Sequence, residues 1–491
     1  MASKLISIYY DIFLHSLYMP SSIFSAYTLA SQCNHWDNTQ LLKECGLIPF
    51  MLHKNFGYKA VMVGENTGNY PYLEHLPGLE MDFIPSSNGN MQTQAVNSII
   101  YIDKNYQNID ILIMRGLYHT TCVVIQEYKQ KRPDGKVYLY LDANQYWMDN
   151  IQWEAPSVFN TLASCDVIST SCSKIVKYLN KKWPPFIVEY IPNGFFNASG
   201  EQIKKCQKEN IILTVGRIGT TQKANHILLL AFVIIANRIP DWKIRLVGPV
   251  EAQFNEFIDL YFKNLPQLKK RVEFLGNITD KKKLYAEYAK AKIFALTSLS
   301  EGAPNVTAEA LFHGCYTITS DIDAAVDITD NENCGRIFAI NDFKALSKIL
   351  LEVCTNKKLL HNAPQKSIEY AKSHYDWDLL INKINHLLNC IPTNDKVIEQ
   401  KGELKVLWQQ MAEKLANIET SAKEELSQIV SDLSYLEKLA VKFFNEIEDT
   451  DLKYKLNQIK EKVLNILYAS PAPQIKRDIL EIAAQISLDF P

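Results

Sequence analysis

Strand-sized apolar runs alternate with helical patterns twice over along this chain. That repetition restricts the fold more than any other feature. The first 195 residues carry the runs KLISIYY, AVMVG, IDILIMRG, KVYLYLDAN, DVISTS and FIVEYIPNG. They are short, rich in Val, Ile and Tyr, and bounded by Gly, Asp or Asn, as strands are. Helical stretches such as LLKECGLIPFMLHKNFG and SCSKIVKYLNKKW lie between them. The polar stretch NASGEQIKKCQKEN then reads as a linker. A second series follows: NIILTVGRI, WKIRLVGP, VEFLGNI, KIFALTS, CYTITSD and GRIFAI, separated by helices such as NHILLLAFVIIANRI. Strands this apolar belong in parallel sheets covered on both faces. The fold class is therefore α/β, with two Rossmann-like, doubly wound domains at 1–195 and 205–366 facing a cleft. Ligands in such sheets bind beyond the carboxyl ends of the strands.

The last hundred residues lack strand signals. Leu404, Leu407, Met411, Leu415 and Ile418 recur at helical spacing, as do Leu426, Ile429, Leu433, Leu436 and Leu439. Residues 396–491 are expected to form a C-terminal α-helical extension, either packed on the body or used for homo-oligomerisation. Lys and Arg number 52 against 54 Asp and Glu, a formal net charge of −2, so nothing global argues for a nucleic-acid partner. No window approaches the roughly 18 apolar residues of a membrane span, and no signal-peptide core is evident. The ten cysteines include no C-x-x-C pair, which suits reduced, mostly buried thiols in a cytoplasmic protein.

Two stretches carry the chemistry. In TVGRIGTTQKANHILLLAF, Gly216 permits a sharp turn at a strand end, and Arg217 and Lys223 place two cations at its mouth. In KIFALTSLSEGAPNVTAEALFHG, Glu301 follows a strand and a helix is expected to start near Asn305 or Val306. The free amides of its first turn, at Asn305, Val306 and Thr307, would face an anion. Glu309 lies about one turn further in. A carboxylate cannot hold a phosphate, but it accepts well from paired hydroxyls. The pattern suits a nucleotide sugar: Glu301 toward the sugar, Glu309 toward the ribose, and the cations and helix amides on the diphosphate. Each stretch taken alone is equally compatible with ordinary surface charge.

Together, VGRIGTTQKANHILLLAF, FLGNITDKKKLYAEYAKAKIFALTSLSEGAPNVTAEAL and GCYTITSD resemble the second domain of family 4 retaining glycosyltransferases. The resemblance covers roughly residues 165–390 and implies the GT-B fold. The family's Glu-x7-Glu signature falls on Glu301 and Glu309, and its diphosphate-binding pair on Arg217 and Lys223. IPNGF matches the run into the interdomain linker. HYDWDLLINKINHLL resembles the closing helix that crosses back to the first domain, expected at 367–392. Three departures stand out. Lys223-Ala224 replaces the frequent Lys-Gly, Glu301-Gly302-Ala303-Pro304 replaces the frequent Glu-Gly-Phe-Gly, and YYDIFLHSLYMPSS lacks the family's Gly-rich loop, leaving Ser21 and Ser22 as substitute donors.

The resemblance implies retaining transfer from a nucleotide-diphosphate sugar, with UDP the favoured base, no metal and no cofactor. Glycan, lipid-linked or protein acceptors all remain open. Arg217, Lys223, Glu301 and His119 are the expected catalytic set. Gly216, Asn305, Val306, Thr307 and Glu309 join Arg217 and Lys223 in donor binding. His119 qualifies because it follows IDILIMRGLY, beyond a strand end where the family often carries a cleft-facing His. Asp142 is a further candidate, and Tyr146, Trp147 and Trp153 are candidate stacking groups. Lys174, Lys177, Lys181, Lys182 and Trp183 suggest either a peripheral contact with anionic lipid or a solvated helix face. Two rival functions stay open: a non-catalytic GT-B subunit stabilising a partner glycosyltransferase, and a nucleotide-sugar epimerase, though the Glu spacing fits a transferase better.

Overall fold

The computed structural model describes residues 5–10, 38, 40–66, 68–141, 143–183, 186–200 and 207–389. Ser21, Ser22, Asp142 and the expected C-terminal helices at 396–491 lie outside the described residues. Residues 5–177 and 189–388 belong to one compact unit, and 178–188 to a second.

The first sheet has seven strands: β1 (Leu5–Tyr10), β2 (Lys59–Glu65), β3 (Leu79–Ile84), β4 (Ile111–Arg115), β5 (Lys136–Leu141), β6 (Val167–Thr170) and β7 (Val188–Tyr190). Their order is β3-β2-β1-β4-β5-β6-β7, and the pairings from β3 through β6 are parallel. The second sheet has β8 (Glu209–Val215), β9 (Lys243–Val247), β10 (Val272–Gly276), β11 (Ala291–Leu296), β12 (Tyr316–Ser320) and β13 (Gly335–Phe338), ordered β10-β9-β8-β11-β12-β13 and parallel throughout. β3 has no counterpart among the runs read from sequence. Its burial alternates irregularly, with Leu79 and Ile84 buried and Phe83 40% exposed, so an edge strand escapes a search for apolar runs.

Each sheet reverses its strand order once, between β1 and β4 and between β8 and β11. These are the switch points beyond whose carboxyl ends ligands bind in doubly wound sheets. The core of the second sheet joins Ile212, Ile244 and Ile293 to Phe232 of the helix Asn225–Ile235 and Leu346 of the helix Phe343–Thr355. The first sheet's core has an unusual contributor. Trp377, Leu380, Ile381, Ile384 and Leu388 of the helix Trp377–Asn389 pack with Leu47, Ile48 and Met51 of the helix Glu44–Phe56. The chain thus leaves the second sheet and ends, within its described part, inside the core of the first. No helix among the described residues is long and apolar enough to cross a membrane.

Candidate active site

The second sheet's switch point is built by two neighbouring loops, one after β8 and one after β11. After β8 the chain turns at Gly216, whose φ is 148°. Its amide bonds the Val247 carbonyl at 2.9 Å, and its own carbonyl lies against Gly248, where an added Cβ would stand 1.7 Å from that oxygen. A side chain at 248 would therefore push the turn out of place. The Arg217 Nη2 donates to Gln222 Oε1 at 3.2 Å, and Gln222 Nε2 donates to the Ser300 carbonyl at 3.0 Å. The Leu299 amide returns a bond to the Gln222 carbonyl at 2.7 Å. Gln222, which the sequence reading did not single out, ties the two loops together.

Lys223 and Glu301 meet directly. Lys223 Nζ lies 2.5 Å from Glu301 Oε1, with both side chains about one-seventh exposed (15% and 13%). Ser298 Oγ donates to the same carboxylate oxygen at 2.9 Å, and Thr297 Oγ1 donates to the Lys223 carbonyl at 2.9 Å. The two charges are 78 residues apart in sequence and adjacent only because β8 pairs with β11. An ammonium and a carboxylate at this depth hold each other in place, because neither gives up its partner without a desolvation cost.

The helix Asn305–Phe312 starts where the sequence predicts, with Pro304 at its N-cap. The Thr307 amide and hydroxyl both bond the Pro304 carbonyl, at 3.1 and 2.6 Å. The amides of Asn305 and Val306 precede any intrahelical acceptor. The Asn305 side chain is held from the first sheet's side. Asn193 Nδ2 donates to its Oδ1 at 2.8 Å and to the Ala303 carbonyl at 2.7 Å, while Asn305 Nδ2 donates to the buried Glu44 at 3.0 Å. Glu309 accepts from Tyr288 OH at 2.8 Å and pairs with Lys281 at 3.5 Å. Burial, followed by the neighbouring Glu309 charge, pushes the Tyr288 phenol far above its ordinary value, so it remains a donor. Neither Glu44 nor Tyr288 carries a sequence signal; each was found only through its contact.

His119 occupies the first turn of the helix His119–Lys131, just after β4, and is exposed. It therefore sits beside the first sheet's switch point. Among the described residues no hydrogen bond or ion pair joins it to Arg217, Lys223 or Glu301. Tyr146 is 56% exposed. The basic helix Ser173–Lys182 differs from the expectation of a free aromatic-ended surface. Lys174 pairs with Asp323 at 3.0 Å, and Trp183 is fully buried, so it offers no ring to a lipid interface. The seven described cysteines are free thiols, and no group of three or more His, Cys, Asp or Glu side chains converges among the described residues.

The architecture is that of the GT-B proteins. Residues 196–374 match the family model described as glycosyl transferases group 1. Among curated proteins, the chain is 25% identical over 216 residues to the capsular polysaccharide biosynthesis glycosyltransferase CapM of Staphylococcus aureus, covering 40% of this chain and 55% of that one. It is 24% identical over 199 residues to the phosphatidyl-myo-inositol mannosyltransferase of Mycolicibacterium smegmatis, covering 40% and 50%. The chain spans about half the length of the curated relatives it matches. Among solved structures, a glycosyltransferase from Rickettsia africae superposes with TM-score 0.58 at 14% identity, covering 80% of this chain and 100% of the other. HepE of Anabaena in complex with UDP gives TM-score 0.56 at 15% identity, covering 70% and 96%. Likenesses at this identity establish the fold.

Proposed function

We propose that this chain is a retaining glycosyltransferase that moves a sugar from a nucleotide-diphosphate sugar, with UDP as the base, onto a hydroxyl acceptor. The observation that carries the reading is the Lys223–Glu301 pair, set beside Arg217 at the switch point of the second sheet. Two cations on the loop after β8, together with the Asn305 and Val306 amides that have no acceptor within their own helix, suit a diphosphate, whose charge grows as the sugar departs. Glu301 then has two tasks: it orients the Lys223 ammonium, and its remaining lone pairs accept from sugar hydroxyls. Glu309, fixed by Tyr288 and Lys281, keeps lone pairs for the ribose diol. HepE, in the structures that share this fold, was captured with UDP and with UDP-glucose.

In this mechanism the C1–O bond to the diphosphate breaks. The leaving oxygen takes the acceptor's proton on the same face, and the acceptor oxygen bonds C1 with the configuration kept. Arg217, Lys223 and the Asn305 and Val306 amides stabilise the diphosphate as it gains charge. His119 and the first sheet's loops face the acceptor. We assign the reaction to the cytoplasmic synthesis of a polysaccharide, glycolipid or glycoprotein, independent of a bound metal.

A panel of nucleotide sugars, read by thermal shift and by release of free nucleotide, tests the reading. One donor should raise the melting temperature by mass action and be slowly hydrolysed. Lys223→Ala should remove about 10²-fold or more of turnover, the loss of one prepaid charge at a developing oxyanion. Wild-type turnover in that variant would remove Lys223 from the site. Anomeric NMR of the product tests retention, and turnover in chelator tests metal independence. No response to any donor by folded protein would favour the non-catalytic subunit.

A further inference from the structure

At the opposite end of the second sheet from Lys223 and Glu301 lies a cavity of about 630 Å³. Its lining includes Lys208, at the entry to β8, and Lys292, near the start of β11, so it sits beyond the amino ends of the same two strands. A strand of six residues at about 3.3 Å each places it roughly 20 Å from the switch point. The cavity is therefore separate from the diphosphate site proposed above.

The charge of the lining is one-sided. Arg238, Lys292 and Lys357 join Lys208, against one carboxylate, Asp241. Lys208 is committed to the framework: its ammonium donates to the carbonyls of Tyr288, Ala291 and His313 at 3.2, 2.7 and 2.6 Å. Asp241 lies in the field of Arg271. Arg271 in turn clamps the turn that forms one wall, donating to the carbonyls of Ala236, Ile239 and Trp242 at 2.9, 2.6 and 2.8 Å. Lys292 is positioned by Asn210 at 2.6 Å. Arg238 and Lys357 are exposed and have no ion-pair partner among the described residues. Arg238, Lys292 and Lys357 thus present positive charge to one concavity whose lining holds a single carboxylate. The turn 236–242 is fixed by these bonds to Arg271, so that wall does not have to be ordered by a ligand.

We propose that this cavity is a second anion site, which binds a small phosphorylated molecule between a hexose phosphate and a nucleotide in size. The volume is in the range of small-molecule sites, and the Arg fork with the Lys point charges suits a phosphate group. The proposal does not depend on the transferase reading. A lipid head group carries the same phosphate chemistry, and two arms of one experiment separate the sources.

The first arm titrates the full-length protein with inorganic pyrophosphate and with a hexose phosphate, by calorimetry at low salt. The second measures co-sedimentation with vesicles containing phosphatidic acid. Arg238→Gln/Lys357→Gln should weaken soluble-anion binding at least tenfold, whereas Lys223→Ala should leave a binding event in place. Binding should also weaken as salt is raised. A vesicle response abolished by the same double substitution, with no soluble response, would assign the site to a head group. Unchanged binding of both probes in the double variant, or no binding of either probe by wild type, overturns the site. Arg238→Gln alone serves if the double variant shows an altered melting temperature.

Discussion

Ala224 holds a left-handed backbone, φ 44°, directly after Lys223, and its methyl is fully buried. At this position the family resemblance often supplies glycine. The magnitudes explain why alanine survives. The left-handed region costs an L-residue about 1–2 kcal/mol. Burying the methyl returns about 0.8 kcal/mol, and avoiding glycine's extra chain entropy returns roughly 0.5–1 kcal/mol. The sum is near zero. Ala224→Gly should therefore shift stability by less than about 1 kcal/mol, while Ala224→Val should cost about 2 kcal/mol or more through strain and overpacking. Chemical denaturation of the two variants checks both. Lys223, Arg217, Glu301 and Glu309 were legible at this scale because their residue types and spacing are distinctive. Glu44, Asn193, Gln222 and Tyr288 were not, because a side chain that acts by bracing another has no pattern in its own neighbourhood.

At the scale of elements, the helix Asn305–Phe312 is fastened at its carboxyl end by His313. Its Nδ1 contacts the Glu309 carbonyl at 2.7 Å, and its ring packs on Tyr285, Tyr288 and Phe195. Burial holds the His313 imidazole below its ordinary value, against the opposing pull of the Glu309 carbonyl and carboxylate, while Lys208 adds to the lowering. The folded protein thus binds its proton less readily than the unfolded chain does. The associated stability is present above the unfolded value of about 6.5 and declines as pH falls below it. Unfolding midpoints measured from pH 7.5 down to 5.5 should fall, and His313→Gln should flatten that slope while lowering stability throughout. An unchanged slope would show that His313 is not the group responsible. The same helix shows what sequence reading resolves well. Its start was legible because Gly302 and Pro304 interrupt the preceding strand pattern and the apolar helical rhythm begins after them. The edge strand β3 was not legible, since one exposed flank erases the apolar run on which strand recognition rests.

For the whole molecule, the helix Trp377–Asn389 is the decisive element. Ile381 and Ile384 are fully buried in the first sheet's core although they follow the second sheet in sequence. Polar contacts reinforce the docking: Asn55 Nδ2 to Asp378 at 2.9 Å, Tyr58 OH to Asn385 at 3.2 Å, and the Phe195 amide to the Tyr375 carbonyl at 2.8 Å. Ile381→Ala should cost about 2–5 kcal/mol of stability as a cavity mutation, despite lying far along the chain from the strands it supports. Hydrogen exchange should report the loss in β2 and β4 ahead of the second sheet, and equal loss in both would argue that the two cores unfold as one.

Sequence alone determined the repeated α/β architecture, because apolar strand runs and helical rhythm are local properties written every two or 3.6 residues. It also determined which charged residues stand at strand ends. Only the tertiary structure decided that Lys223 and Glu301 touch, that Glu309 is engaged by Tyr288 and Lys281, and that cations gather in a cavity at the far end of the second sheet. These groupings join segments that stand far apart in the sequence, from 21 residues for Tyr288 and Glu309 to 78 for Lys223 and Glu301 and further still across the cavity. They exist because parallel strands need crossovers, and the crossovers set which loops become neighbours. A carboxylate's chemistry belongs to its residue type, but its partner is chosen by strand order.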